Sequence, residues 1–136
     1  MRLGNEAAPA SPFLVPYLDS PNICVRTQAA HGLWKITGNS EWLRHLVRDA
    51  TSPLALERRA LAQALGDLPV ALTEVLGRLF LRDSAWQVRV AAAEALGRAG
   101  PRASGLVQEL RRLAQSGGED ERVRDAARAS LRAVTK

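Results

Sequence analysis

Val88-Arg89-Val90-Ala91-Ala92-Ala93-Glu94-Ala95-Leu96-Gly97 is a short amphipathic helix signature, and the chain repeats it. Earlier copies are Val25-Arg26-Thr27-Gln28-Ala29-Ala30-His31-Gly32-Leu33 and Glu57-Arg58-Arg59-Ala60-Leu61-Ala62-Gln63-Ala64-Leu65-Gly66. A last copy is Val123-Arg124-Asp125-Ala126-Ala127-Arg128-Ala129-Ser130-Leu131. Arg26, Arg58, Arg89 and Arg124 are therefore 32, 31 and 35 residues apart. Units of that size cannot bury their own apolar face and must stack, so the period predicts a solenoid.

Take the residue before each arginine as position zero. Apolar or small residues recur at plus 3, 4, 7, 8 and 11, the stripe of an amphipathic helix. In the third copy these are Ala91, Ala92, Ala95, Leu96 and Ala99. A second apolar pattern precedes each signature: Phe13-Leu14 with Tyr17-Leu18, Trp42-Leu43 with Leu46-Val47, Val75-Leu76 with Leu79-Phe80, and Leu106-Val107 with Leu110 and Leu113. Each unit thus reads as helix, turn, helix. Turn signals fall between them at Asp19-Ser20-Pro21-Asn22, Thr51-Ser52-Pro53, Asp83-Ser84 and Gly117-Gly118-Glu119-Asp120. Pro69 and Pro101 suit helix starts, and Gly38 and Gly100 suit helix stops. The reading is all-α: a lead-in over 1–10, then one domain over 11–136. Its four repeats run approximately over 11–38, 40–68, 70–100 and 101–135.

The 136 residues suffice for one modest core. Hydrophobic residues are 46% and charged residues 24%, which argues against wholesale disorder. Aromatics are only 4%, so the core must be built from Leu, Val and Ala. No apolar run approaches a membrane span, and Glu6 interrupts any leader-like segment. The one cysteine, Cys24, cannot form an internal disulfide. These features predict a cytoplasmic protein. A net charge of +5 leaves phosphate binding open, depending on where the charges sit.

The Val-Arg pair, the turn aspartates Asp19 and Asp83, the paired alanines Ala29-Ala30 and Ala92-Ala93, and the closing Leu96-Gly97 resemble the HEAT-repeat family, in its HEAT-like, phycobilin-lyase-type variant. Leu33-Trp34-Lys35-Ile36-Thr37-Gly38 is similar to a helix end seen in actinobacterial members. The resemblance runs over about residues 11–134. It implies a right-handed α–α superhelix of about four hairpins, with the signature helices lining the concave side. It specifies fold rather than function, since such repeats serve scaffolds, adaptors, lyases and a few enzymes.

The register separates the faces. Positions plus 1, 5 and 9 are small after the arginine in the middle repeats: Arg58-Ala62-Gly66 and Arg89-Ala93-Gly97. A neighbouring helix can approach such a face closely. In the last repeat the same stripe is Arg124-Arg128-Arg132. It reads as a polar end cap or, with Arg111 and Arg112, as an anion-binding patch. Outward positions near plus 2, 6 and 10 carry mixed charge. Gln28, His31, Lys35, Arg59, Gln63, Asp67, Glu94 and Arg98 are the candidate partner-binding residues of the concave face. Mixed sign suits a protein partner better than a phosphate backbone. The recurring arginine reads as a structural ladder from each signature to a turn aspartate and to carbonyls between adjacent repeats. The arginines of the preceding helices read as a solvated convex face.

Residues for chemistry are sparse. His31 and His45 lack a matched nucleophile or carboxylate, and no His/Cys/carboxylate set has metal spacing. The His-Glu pairs of HEAT hydroxylases are absent. Trp34, Trp42 and Trp86 are followed one turn later by Gly38, Leu46 and Val90, not by the aspartate of HEAT-like DNA glycosylases. The expectation is a non-catalytic interaction module without metal or cofactor, whose partner is another protein. The alternative is nucleic-acid or polyanion binding through the C-terminal arginines. Self-association through the apolar N-terminal end is a third reading.

Overall fold

A computed structural model of the chain describes residues 14–38, 48–68 and 70–135. Those residues form helices joined by turns, with no strand among them. The chain divides into two compact units, residues 1–52 and 53–136. The lead-in over 1–10 and the helix expected around Trp42 to Val47 lie outside the described residues.

In the first unit a 3-10 turn, Val15–Asp19, leads into helix α1, Ile23–Thr37. Pro16 sits at the start of that turn, where a missing amide hydrogen costs nothing. Asn22 begins α1 by accepting from the amide of Val25 at 3.4 Å. Gly38 ends it with φ +70°, a left-handed conformation that glycine adopts without strain. Leu18, Ala29, Ala30 and Leu33 are buried as α1 packs on the 3-10 turn. Thr27 also turns inward and is 7% exposed, so the outward stripe at plus 2 is not uniform.

The second unit contains α2 (Ala55–Gln63), α3 (Val70–Phe80), α4 (Trp86–Ala99), α5 (Val107–Gln115) and α6 (Glu121–Val134). The three signature helices stand in a row: α4 packs on α2 at one side and on α6 at the other. Behind them, α3 packs on α4, and α5 packs on α6. Leu61, Leu76, Phe80, Leu96, Leu110 and Val123 are buried among these helices. The apolar pairs of α3 divide as helix geometry demands. Leu76 and Phe80 are buried one turn apart, while their neighbours Val75 and Leu79 point 100° away and are exposed.

Two expected helix boundaries shift. The second signature does not stay α-helical to Gly66: after Gln63 the chain tightens into a 3-10 turn, Leu65–Asp67. Thr73 holds that turn, its hydroxyl shared between the carbonyls of Leu65 (2.8 Å) and Leu68 (3.3 Å). Pro101 likewise starts a 3-10 segment, Gly100–Leu106, before α5 begins at Val107. The segment bends at Ala103, and Gly100 enters it with φ +64°.

The stacking face is where the register placed it. Ala93 is fully buried, and a Cβ at Gly97 would lie 3.3 Å from the Ser130 backbone on α6. Gly97→Leu should therefore lower stability by about 1–3 kcal/mol, the cost of overpacking; an unchanged melting temperature would mean that α4 and α6 separate freely. The Ser130 hydroxyl faces that contact without a hydrogen-bond partner. Ser130→Ala should raise stability by about 1 kcal/mol in a urea titration, because an unmet buried hydroxyl disappears.

Candidate functional site

Three of the four recurring arginines hold an acid. Arg26 donates to the carbonyl of Ser20 at 2.7 Å and to the Asp49 carboxylate at 3.2 Å. Arg58 grips Asp83 with two bonds, 2.7 and 3.0 Å. Arg89 donates to the Asp83 carbonyl at 2.6 Å and to Glu119 at 2.8 Å. Each guanidinium thus leaves a signature helix and holds the carboxylate of the turn that follows. All three pairs are largely buried, with side chains 8–18% exposed. The partners include Asp49 and Glu119, which the sequence pattern did not single out. Their signal was an acid five to nine residues before Arg58 and Arg124, as Asp83 stands before Arg89.

Several arginines expected on a solvated face are further staples. Arg78 donates to the carbonyl of Gly105, and Arg82 makes two bonds to Glu109 at 3.1 and 3.3 Å. Arg102 holds the carbonyls of Gly66 and Leu68, both at 2.9 Å. These bonds tie the three arginines to neighbouring turns and helices while their side chains stay exposed, as the reading of a solvated face expected.

With those charges committed, the residues expected on the concave side stand out. Arg59, Gln63, Trp86, Gln87, Val90 and Glu94 line a cleft of about 160 Å³ between α2 and α4. Trp86 is held there by the Arg122 guanidinium, 3.5 Å above its ring, and Arg122 in turn pairs with Asp120. Asp120 caps α6 by accepting from the Arg122 amide at 2.8 Å. A second cleft lies between α4 and α6, floored by Ala126, Ala129 and Ala133 and edged by Glu94 and Arg98. Glu94 belongs to both, so the clefts adjoin.

Of the eight partner-binding candidates, the structure brings together Arg59, Gln63, Glu94 and Arg98 on this surface. Arg98 is partly engaged, donating to the Gln63 carbonyl at 3.0 Å. Asp67 is exposed but sits on the 3-10 turn, off the helical register that proposed it. Gln28 and Lys35 are exposed on α1 in the first unit, where Gln28 lines a separate cleft with Leu14, Tyr17 and Val25. The His31 side chain lies outside the described residues.

The C-terminal arginines fall into three kinds. Arg124 is half-buried and donates only to carbonyls of its own turn, Ser116 at 3.3 Å and Gly117 at 3.4 Å. Arg128 pairs with Asp125, and Arg112 with Glu109. Arg111 and Arg132 are exposed. Among the described residues, no three His, Cys, Asp or Glu side chains come close enough to hold a metal ion. Nor is any of their helices long and apolar enough to cross a membrane.

Residues 72–102, from α3 through α4 into the 3-10 segment, match the family model for the HEAT repeat. No curated protein matches the chain.

Asp83 offers a test of the ladder. Burial pushes its carboxyl up, but hydrogen bonds from Arg58 and the Ala85 amide, with the charges of Arg58 and Arg89, outweigh that and hold it below the ordinary carboxylate range. The ionised form therefore prefers the folded chain. Its stabilisation is complete above the unfolded value near pH 4 and is lost as pH falls through the lower folded value. Asp83→Asn should cost about 1.5–3 kcal/mol at pH 7, the scale of a charge-assisted bond. Thermal melts from pH 7 down to pH 2 should then show the variant and the parent converging below pH 4. A gap that persists at the acid end would show that the carboxylate's charge is not what stabilises the fold.

Proposed function

We propose that the chain is a non-catalytic protein-interaction module of the HEAT type. In this reading four helical hairpins form a right-handed α–α superhelix, and its concave face holds an extended segment of a partner protein. The observation that carries it is the pair Arg59 and Glu94. They are exposed side chains of opposite charge that line one cleft beside Trp86, and neither makes an ion pair among the described residues. Most arginines around them are spent on internal bonds. The Gln63 and Gln87 amides supply donors and acceptors for a main chain laid across the cleft, and Trp86 supplies a fixed apolar wall. The alanine floor of the adjoining cleft leaves room for side chains of that segment.

Mixed charge on this surface favours a peptide over a phosphate backbone, which needs consistent positive potential. The family match at 72–102 supports the reading, since HEAT repeats commonly mediate protein–protein contacts. The cleft linings present guanidinium, amide, indole, hydroxyl and aliphatic groups with a single carboxylate.

Selection of displayed random peptides on the folded protein tests this. Peptides recovered should lose about tenfold or more in affinity on the doubly reversed variant Arg59→Glu/Glu94→Arg, with no change in melting temperature. Arg98 is left intact because its bond to Gln63 also serves the fold. Peptides that bind the reversed variant as well as the parent would place the interaction elsewhere.

A further inference from the structure

The cleft beside Trp86 does not end at Arg59. A further hollow, lined by Ala55, Leu56, Arg59 and Gln87, shares Arg59 and Gln87 with it, so the two form one trough along the seam between α2 and α4. Leu56 is 74% exposed, the most open of the large apolar side chains among the described residues. Leu56, Arg59 and Gln63 follow one another on α2 at spacings of three and four, which places them on one face. Gln87, Val90 and Glu94 do the same on α4, at the same three register positions. Contacts farther along keep the two registers level. A Cβ at Gly66, position plus 9, would lie 3.2 Å from the carbonyl of Ala95, at plus 7 on α4. Arg98, at plus 10, donates to the carbonyl of Gln63, at plus 6.

Read from the helix N-termini, the trough changes character once per turn. Leu56 and Trp86 make an apolar end. Arg59 comes next, level with the uncharged Val90, and then Glu94, level with the uncharged Gln63. Arg98, beyond Glu94, is drawn to the Gln63 carbonyl and leaves that carboxylate without an ion pair among the described residues. The order is therefore apolar, positive, negative. Trp86 to the level of Arg59, and Arg59 to the level of Glu94, are steps of four residues each, about 6 Å of helix rise. Alternate residues of an extended strand point to the same side and are about 6.6 Å apart. Gln63 and Gln87 stand at opposite ends and on opposite walls. Their amides suit a main chain with free N–H and C=O groups, which a helical segment has already spent on itself.

We propose, on the reading of this cleft as a peptide site, that the trough selects an ordered motif: an extended partner segment in which an apolar, an acidic and a basic residue occupy alternate positions. The apolar side chain seats on Leu56 and Trp86, the acid on Arg59 and the base on Glu94. The residues between them face away and are not selected. A segment with acid and base exchanged sets like charges together at two points, although its composition and net charge are the same. Order, and not charge, is what the site recognises.

Fluorescence anisotropy tests the order, with the full chain titrated into labelled peptides at physiological salt, about 0.15 M. Two peptides carry leucine, glutamate and lysine at alternate positions with serine between, one in each chain direction. A second pair exchanges glutamate and lysine. A last peptide spaces the same three residues four apart, as a helix would present them. One ordered peptide should bind about tenfold or more tightly than either exchanged peptide and than the helical one. On Arg59→Glu/Glu94→Arg the preference should invert in favour of an exchanged peptide. Leu56→Ser should weaken the ordered peptide about tenfold with no change in melting temperature, since that side chain is exposed. No binding by either ordered peptide, equal binding by ordered and exchanged peptides, a preference that does not invert, or tighter binding of the helical spacing overturns the motif. If library-selected peptides still depend on Arg59 and Glu94 in that event, the cleft remains a peptide site and only the order is wrong. If they do not, the site itself falls.

Discussion

A guanidinium leaving one helix to hold the carboxylate of the next turn is the interaction on which the structure depends. It occurs at Arg26 with Asp49, at Arg58 with Asp83 and at Arg89 with Glu119. The interfaces between signature helices are built of alanine, glycine and serine. Such surfaces bury area but are smooth, so they oppose separation better than they oppose sliding. A largely buried carboxylate is different, because displacing it from its arginine leaves both charges desolvated and unpaired. The ladder therefore contributes register more than bulk stability, while Leu, Val and Phe contribute the bulk through burial.

The same economy of charge shapes the surface. Arg78, Arg82 and Arg102 bond to neighbouring turns and helices although all three stay exposed, so part of the positive charge is already engaged within the fold. What is left over is local. Arg59 and Glu94 face a cleft of mixed sign, whereas Arg124, Arg128 and Arg132 form a row of one sign on a different face. The first arrangement suits a chain that presents both donors and acceptors. The second suits an anion. Net charge alone could not distinguish these two surfaces, because it sums residues that the fold has already paired.

Position on the helix also determines how freely each surface can change. The residues at plus 1 are tied to turns and carbonyls, and those at plus 5 and 9 are tied to steric fit. Apart from the buried Thr27, the residues at plus 2, 6 and 10 are bound by neither constraint, and they differ among the signatures while the arginine does not. Arg98 is the intermediate case, at plus 10 but bonded to Gln63, so it belongs partly to the surface and partly to the scaffold.

Spacing along the chain was enough to specify α1 to α6, their repeating register and the existence of an arginine ladder. Those follow from local periodicity: side chains three and four apart share a face, and a residue recurring at one register position meets a recurring environment. It placed Arg59, Gln63, Glu94 and Arg98 on one surface for the same reason. Packing of the folded chain settled which acids complete the ladder, because Asp49 and Glu119 lie in turns of unequal length where register does not count residues reliably. It also decided where α-helix yields to 3-10 at Leu65 and Gly100, which moved Asp67 off the face its spacing implied. And it decided which arginines were free, since whether a guanidinium meets a carbonyl or an open cleft depends on the neighbouring hairpin and not on its own helix.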